Sequence, residues 1–231
     1  MSDSASTGRV ILVPTPIGNL GDMTLRALEV LRAADRIACE DTRHSARLLN
    51  HYEISGKPLI ALHDHNEARR APELVQAAMA GETIAFISDA GMPGVSDPGF
   101  RLVRECHDAG VPVEVLPGPS AVLTALIASG LPCHAFRFGG FLPMKSGKRR
   151  TALTDALTTG ETAIFFESPH RIAGTLEMLA ELSPDAPACV ARELTKKFET
   201  LHRGTAKELA AQFASHPAKG EIVLLFHPGN G

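Results

Sequence analysis

Clusters of ionisable residues directly follow predicted strands in the first half of the chain. They are EDTRH at residues 40–44, HDHNE at residues 63–67, and the pair Asp89 and Asp97. A His-x-His pair with carboxylates nearby can ligate zinc or manganese. The same residues could instead bind substrate or cap helices, with Asn66 and Asp41 as candidate N-caps. We favour the second interpretation and predict no metal site.

Charged residues also follow predicted strands in the second half of the chain. The cations Lys145, Lys148, Arg149 and Arg150 lie close together in one short segment. They could neutralise nucleic-acid phosphates, or they could simply form a solvated loop that leads into a helix. The segments ESPHR at residues 167–171 and ARELTKK at residues 191–197 each follow an apolar strand, where a site is expected. Ion pairing between these two segments is the alternative explanation of their charges.

Three loops rich in glycine and proline each follow a predicted strand and precede a predicted helix. They are PTPIG at residues 14–18, GMPG at residues 91–94 and PGPS at residues 117–120. Glycine lets the main chain approach a ligand, and proline fixes its path while removing an N–H donor. No loop matches G-x-G-x-x-G or G-x-x-x-x-G-K-[ST], so ordinary dinucleotide and nucleoside-triphosphate sites are not predicted. We expect a main-chain cleft that reads a ligand by shape, with a tight structural turn as the alternative for residues 88–99.

The elements that must position these residues alternate between strand and helix. The apolar runs near residues 10–13, 36–39, 59–62, 83–88 and 113–116 are continuous rather than alternating. Such runs are typical of parallel strands covered on both faces. Further strands are predicted near residues 136–141, 162–166, 188–191 and 221–226, with a hairpin-like segment at residues 199–204. The chain is therefore predicted to be an α/β protein.

The predicted organisation is two α/β domains, with a mainly parallel N-terminal sheet and a mixed C-terminal sheet. The boundaries are a disordered tail at residues 1–8, an N-terminal domain at residues 9–130, a connector at residues 131–134 and a C-terminal domain at residues 135–231.

The composition is that of an ordinary soluble globular protein. The chain is 44% hydrophobic and 21% charged, and its net charge of −3 excludes a wholly basic nucleic-acid coat but not a local basic patch. With one Tyr and no Trp, extensive base-stacking surfaces are not expected. The four cysteines form no C-x-x-C pair, which predicts reduced thiols in a cytoplasmic protein. We identify no secretory signal and no apolar run long enough to cross a bilayer.

Eight sequence runs between residues 10 and 226 occur in a characteristic order. The runs are TPIGNLGDMTLRALEVL, EDTRHSARLLNHYEI, SDAGMPGVSDPG, PGPSAVLTAL, GFLPMKSGKRR, ESPHRI, ARELTKKFE and KGEIVLL. Together they resemble the ribosomal RNA small subunit methyltransferase I family, within the tetrapyrrole methylase superfamily. The resemblance implies that S-adenosylmethionine is used to methylate a ribose 2′-hydroxyl of a cytidine in the decoding region of 16S rRNA. It also implies a homodimer with the cofactor folded between two α/β domains.

The resemblance further implies roles for individual residues. Implied cofactor contacts, mostly through the main chain, are Pro16, Ile17, Met92, Val95, Ser120, Ala121, Phe166, Ala191 and Gly220. Met92 stands where relatives often have Thr, and Phe166 stands where they often have Tyr, which leaves a hydroxyl contact at these positions open. Implied substrate-binding residues are Arg43, His170 and Arg171, with Lys148, Arg149 and Arg150 on RNA phosphate. The general base stays open among the catalytic candidates Asp89, Glu167 and Lys196, each of which follows a predicted strand.

Three other functions remain open from the sequence. A tetrapyrrole methyltransferase would share the fold and the cofactor, although the basic loop favours RNA. A metal-dependent phosphoesterase would use His63, His65, Asp89 and Asp97. A non-catalytic ribosome-binding factor would bind the small subunit without transferring a methyl group.

Overall fold

The computed structural model describes residues 8–229, which form two compact units. The first unit ends at Ser120 and the second begins at Ala121, whereas the boundary expected from the sequence lies after residue 130. Residues 1–7, which make up most of the expected disordered tail, lie outside the described residues. Gly8 is buried and donates its N–H to the Ala78 carbonyl at 3.0 Å. Within residues 8–229 there is no helix whose length and apolar character would let it span a bilayer.

The first unit contains a sheet of five strands. They are β1 (Arg9–Leu12), β2 (Arg36–Cys39), β3 (Leu59–Ala61), β4 (Thr83–Ile87) and β5 (Val113–Val115). Their order across the sheet is β3-β2-β4-β1-β5, and every neighbouring pair is parallel. This arrangement confirms the parallel N-terminal sheet predicted from the continuous apolar runs.

Four helices cover the two faces of this sheet. They are α1 (Leu25–Ala33), α2 (Thr42–His51), α3 (Glu67–Met79) and α4 (Phe100–Asp108). Leu31 of α1 packs in one core with Ile37, while Leu74 of α3 and Leu102 of α4 pack in a second core with Phe86. Because successive strand residues point to opposite faces, both sets of strand side chains are buried. The strands therefore read as unbroken apolar runs.

The two N-caps expected in this unit differ in outcome. Asp41 accepts the backbone N–H of Arg43 at 2.8 Å, so its predicted capping of α2 is confirmed. Asn66 occupies the N-cap position of α3 as predicted, but its side chain makes no capping hydrogen bond to this helix. Its Oδ1 accepts the N–H of His63 at 2.9 Å, and its Nδ2 donates to the Ala61 carbonyl at 3.1 Å. The amide closes the turn before the helix, where it satisfies main-chain groups that the strand leaves free.

The second unit contains a mixed sheet of five strands. They are β6 (Phe136–Phe141), β7 (Thr162–Glu167), β8 (Pro187–Arg192), β9 (Thr200–Thr205) and β10 (Ile222–Phe226). Their order is β6-β7-β10-β8-β9, in which β6 and β7 are parallel and the other neighbours are antiparallel. The predicted mixed sheet is confirmed, and the hairpin-like segment is strand β9.

Four helices complete the second unit. They are α5 (Ala121–Ser129), α6 (Ser146–Leu157), α7 (Ile172–Leu182) and α8 (Ala206–Ser215). Leu176 of α7 and Leu209 of α8 pack in one core with Phe165 and Phe226, while α5 packs against β8 and β10. This packing holds the ends of β6, β7 and β8, where the predicted site residues of this unit lie.

Candidate active site

β1 and β4 are adjacent strands whose connections leave in opposite directions. The chain runs from β1 through α1 to β2 on one side, and from β4 through α4 to β5 on the other. In open α/β sheets, ligands bind outside the carboxyl ends of the strands, near the point where such connections leave the sheet. The ends of β1 and β4 are therefore the candidate site of the first unit.

The loops that follow β1 and β4 are hydrogen-bonded to each other. Thr15 donates its N–H to the Gly91 carbonyl at 2.9 Å, and Gly91 donates its N–H to the Thr15 carbonyl at 3.0 Å. The hydroxyl of Thr15, which is buried, donates to the Ser88 carbonyl at 3.2 Å. These three bonds join the two loops into one main-chain assembly.

The third glycine- and proline-rich loop meets the other two at Gly91. A Cβ on Gly91 would lie 3.3 Å from Ile17 Cγ2 and 3.8 Å from the Pro119 carbonyl oxygen, and φ there is +78°. A Cβ on Gly118 would lie 2.6 Å from Pro14 Cβ. At Gly118 a Cβ would overlap the Pro14 ring, and Gly91 combines a left-handed backbone with a close contact to the Ile17 side chain, so both positions favour glycine. The three loops therefore converge outside the carboxyl end of the sheet.

The five implied cofactor contacts of the first unit lie on this assembly or directly beside it. They are Pro16, Ile17, Met92, Val95 and Ser120. Val95 donates its N–H to the Met92 carbonyl at 3.3 Å, which closes a turn on which Val95 stays exposed. Ser96, the next residue, has φ +64°, and such backbone in a non-glycine residue is found disproportionately at functional sites.

Carboxylates gather beside the loop at residues 88–99, which follows β4. Asp89 donates its N–H to Glu40 Oε2 at 3.5 Å, and Asp89 Oδ1 accepts the N–H of Asp41 at 3.2 Å. Burial, followed by the charge of Glu40, raises the pKa of Asp97 to about 6. Burial also raises the pKa of Glu40. Arg43 is exposed and reaches Asp41 Oδ2 at 3.2 Å, so it lies at the edge of this cluster.

The residues named for a metal-dependent phosphoesterase do not form a ligand set. The rings of His63 and His65 lie edge to face with their centroids 6.0 Å apart. Across residues 8–229, no three His, Cys, Asp or Glu side chains are placed to hold one metal ion. The geometry of the described residues therefore does not favour this alternative.

Glu67 anchors the far end of the loop at residues 88–99, a role that the sequence did not indicate. Its buried carboxylate accepts, at Oε1, the backbone N–H groups of Gly99 at 2.9 Å, Arg101 at 3.1 Å and Leu102 at 3.3 Å. These groups open α4 and have no partner within that helix. Because Glu67 and Gly99 are 32 positions apart, no local pattern could have shown this contact.

In the second unit, Glu167 at the end of β7 is buried and engaged through both oxygens. Oε1 pairs with Arg171 Nη2 at 2.5 Å and accepts the N–H of Ser168 at 2.7 Å, and Oε2 accepts the Thr175 hydroxyl at 2.7 Å. Arg171 also donates to the Leu142 carbonyl at 3.3 Å. The ESPHR segment is thus tied to the loop after β6, while its His170 is exposed.

Lys196 lies between two carboxylates. Its Nζ is 3.1 Å from Glu193 Oε1 and 3.0 Å from Glu221 Oε2. Burial lowers the pKa of Lys196, but the bonds to Glu193 and Glu221 outweigh burial and raise it overall. Gly220 lies so close to Glu193 that a Cβ would overlap this side chain. In the described part of the chain, Glu167 forms its ion pair with Arg171 of the same segment, and Lys196 forms its ion pairs with Glu193 and Glu221. No ion pair joins the ESPHR segment to the ARELTKK segment among these residues.

Two further implied cofactor contacts share one row of the second sheet. Phe166 of β7 and Ala191 of β8 both pair with Val223 of β10. Directly opposed residues of antiparallel strands project to the same face, so Phe166 and Ala191 lie on one face of the sheet.

The four clustered cations lie at the first turns of α6. Lys145 immediately precedes the helix, and Arg149 Nη1 donates to the Met144 carbonyl at 3.5 Å. Arg150 pairs with Glu181 at 2.7 Å. Among the described residues, Lys145, Lys148 and Arg149 form no ion pair, so their charges remain available at this end of α6.

Sequence comparison identifies a family and several named relatives. A family model described as Tetrapyrrole (Corrin/Porphyrin) Methylases matches residues 9–210. Ribosomal RNA small subunit methyltransferase I from Vibrio cholerae is 52% identical over 219 residues, which cover 94% of this chain and 76% of that protein. The protein with the same name from Escherichia coli O157:H7 is 49% identical over 223 residues, covering 95% of this chain and 78% of that protein.

Solved structures share the fold at low sequence identity. Diphthine synthase superposes with a TM-score of 0.73 at 14% identity, covering 95% of this chain and 90% of that chain. Uroporphyrin-III C-methyltransferase from Thermus thermophilus, complexed with S-adenosylhomocysteine, superposes with a TM-score of 0.64 at 21% identity. That match covers 94% of this chain and 97% of the other. At these identities the likeness establishes the fold alone.

Proposed function

The chain belongs to the tetrapyrrole (corrin/porphyrin) methylase family, and on that premise we propose that it is a ribosomal RNA methyltransferase. The proposed reaction moves a methyl group from S-adenosylmethionine to the ribose 2′-hydroxyl of a cytidine in the decoding region of 16S rRNA. Relatives that carry the name ribosomal RNA small subunit methyltransferase I at 49–52% identity support this substrate.

The observation that carries this proposal is the convergence of the three loops at Gly91. Proline at positions 14, 16, 93, 117 and 119 removes the N–H groups from which a phosphate cradle is built. S-adenosylmethionine has no phosphate, so a closely packed surface of carbonyl groups and apolar side chains fits it. When bound, it supplies an electrophilic methyl carbon.

Residues of both units are proposed to hold the methyl donor. In the first unit they are Pro16, Ile17, Met92, Val95 and Ser120, and in the second unit they are Ala121, Phe166, Ala191 and Gly220. The hydrogen bonds between Thr15 and Gly91 hold the loops of the first unit in place before substrate arrives. Positioning of the two reactants can contribute roughly 7–11 kcal/mol.

Asp89 is the general base that the contacts favour. Its carboxylate is half-buried and, in the described part of the chain, accepts one hydrogen bond, from the N–H of Asp41. Both oxygens of Glu167 are engaged, and the partners of Lys196 hold it as an ammonium ion. We assign Asp89 to take the proton of the ribose hydroxyl and Glu167 to hold Arg171. We assign Lys196 to stabilise the negative charge that develops on the ribose oxygen.

The remaining proposed contacts are with RNA. Arg43, His170 and Arg171 would position the target nucleotide, and Lys148, Arg149 and Arg150 would bind phosphate. We further propose that the protein is cytoplasmic. We also propose that it acts as a homodimer, which analytical ultracentrifugation would test.

The test is a methylation assay on small ribosomal subunits isolated from cells that lack the gene. Purified protein and methyl-labelled S-adenosylmethionine are added, and the modified nucleotide of 16S rRNA is mapped by mass spectrometry. We expect one methyl group on a cytidine ribose in the decoding region. Asp89→Asn should lower the rate by roughly 10²–10⁴-fold, the usual contribution of a positioned base, while the control Asp108→Asn should not. Absence of label, or label on a base, would contradict the proposal.

A further inference from the structure

Two large apolar side chains are exposed at the end of β6 and just beyond it. Phe141 is 64% exposed and Met144 is 84% exposed, while Leu142 between them is only 2% exposed. Leu142 donates its N–H to the Phe166 carbonyl at 3.2 Å and accepts Arg171 Nη2 at 3.3 Å. Because the main chain is held at Leu142, the exposure of its neighbours follows from the fold rather than from a loose loop.

Aromatic contacts fix the ring of Phe141 from behind. Its centroid lies 5.3 Å from that of Phe166 with an interplanar angle of 62°, and Phe138 contacts the same ring at 4.9 Å and 66°. Edge-to-face packing of this kind holds an aromatic side chain in a defined orientation. The part of Phe141 that does not meet Phe166 is presented to solvent.

Positive charge lies beside this apolar pair. Lys145 follows Met144 directly, Lys148 lies in the first turn of α6, and Arg149 reaches the Met144 carbonyl. A lysine side chain cannot accept a hydrogen bond, so the N-cap residue Lys145 cannot satisfy the first N–H groups of α6. Cations and helix N–H groups both attract anions.

We propose that Phe141 and Met144 form a stacking platform for one unpaired nucleobase of the RNA substrate, with the adjoining phosphates on Lys145, Lys148 and Arg149. Single-stranded nucleic acids are bound by this combination of an aromatic surface and neighbouring cations. The inference rests on the proposed function and names the form of RNA recognised, a base unstacked from its neighbours. Phe141 contacts Phe166, which is a proposed contact of the methyl donor, so a base stacked on Phe141 would lie close to the proposed donor contact Phe166.

A tryptophan reporter tests this platform. The chain contains no Trp, so Phe141→Trp introduces a single emitter at the platform. Phe136→Trp is the matched control, because Phe136 is exposed on the same strand, at its other end. Each variant is titrated with a short single-stranded oligoadenylate and, separately, with polyphosphate, which has the charge but no bases.

We expect oligoadenylate to quench the emission of Phe141→Trp and polyphosphate to leave it unchanged, with Phe136→Trp insensitive to both. We also expect Phe141→Ala to weaken oligoadenylate binding roughly tenfold or more, as loss of one stacked base does. Equal binding by Phe141→Ala, or quenching that follows protein concentration rather than RNA, would overturn the platform alone. If the native protein neither binds the RNA nor methylates small subunits, the proposed function fails with it.

Discussion

Thr15 and Gly91, on loops after two adjacent parallel strands, exchange both of their backbone hydrogen bonds at 2.9 and 3.0 Å. This pairing joins the loops that follow β1 and β4 at the carboxyl end of the sheet. It also places Gly91 against Ile17 and Pro119, so that a change at this one residue disturbs all three loops.

Gly91→Ala is expected to weaken binding of S-adenosylmethionine at least tenfold. The added methyl group would press on Ile17 at 3.3 Å and would strain a backbone at φ +78°. Strain alone costs roughly 1–2 kcal/mol. Gly110→Ala separates the two effects, because φ there is +70° while no described atom lies within 4 Å of the new Cβ. Calorimetric titration should show a binding loss for Gly91→Ala only, although both variants lose thermal stability; native affinity in Gly91→Ala would refute the loop site.

Glu67→Ala is expected to lower the free energy of unfolding by about 2–4 kcal/mol. The substitution leaves three buried or half-buried N–H groups at the start of α4 without their acceptor, and each unsatisfied donor costs about 1–3 kcal/mol before relaxation. Glu67→Gln keeps an acceptor oxygen and should lose less. Glu73→Ala on the same helix removes only a partly exposed pair with Arg70, so a change below about 1 kcal/mol is expected. Urea unfolding would measure all three, and equal losses for Glu67→Ala and Glu73→Ala would exclude the anchoring role.

The raised pKa of Asp97 makes stability depend on pH. Burial and the charge of Glu40 raise this pKa from 3.8 to about 6. Between about pH 4 and pH 6, Asp97 is therefore protonated more often in the folded protein than in the unfolded chain. The free energy of unfolding therefore falls as pH rises through this window and becomes level above it. Asp97→Asn removes the penalty and should raise the melting temperature at about pH 8, with a much smaller gain near pH 4.

Differential scanning fluorimetry across pH would follow this effect, with Asp108→Asn as the control. Asp108 is an exposed carboxylate of α4 whose side chain is 72% accessible. A gain for Asp97→Asn that is the same at every pH would argue against the buried carboxyl as its cause.

Lys148→Ala is expected to weaken RNA binding and to reduce the salt dependence of binding by about one unit of log–log slope, as loss of one phosphate contact does. Arg150→Ala should have a smaller effect, because Glu181 already pairs with this guanidinium at 2.7 Å. Fluorescence anisotropy with labelled RNA over a range of salt concentrations gives both slopes. An unchanged slope for Lys148→Ala would remove the first turns of α6 from the RNA interface, and donor affinity should stay native in both variants.

The sequence predicted those parts of the fold that local patterns determine. Continuous apolar runs predicted the parallel sheet. The cap by Asp41 was also predictable, since it involves neighbours two residues away. Asn66 holds the predicted N-cap position, but its amide does not cap α3 because the turn before the helix offers nearer partners.

The site was less predictable because its contacts join distant positions. Glu67 meets the start of α4 across 32 residues, and Thr15 meets Gly91 between two loops that only the strand order brings together. The pairing of Lys196 with Glu221 likewise depends on β10 lying beside β8. Residue types marked these segments as candidates, whereas strand order decided which of them meet.

A crystal structure of the protein with S-adenosylhomocysteine bound would decide where the methyl donor lies. We predict that the ligand contacts residues 16–17 and 91–95. Density for the ligand elsewhere, for example in the pocket of about 240 Å³ lined by Arg192, His202 and Phe213 in the second unit, would contradict the assignment of the converging loops.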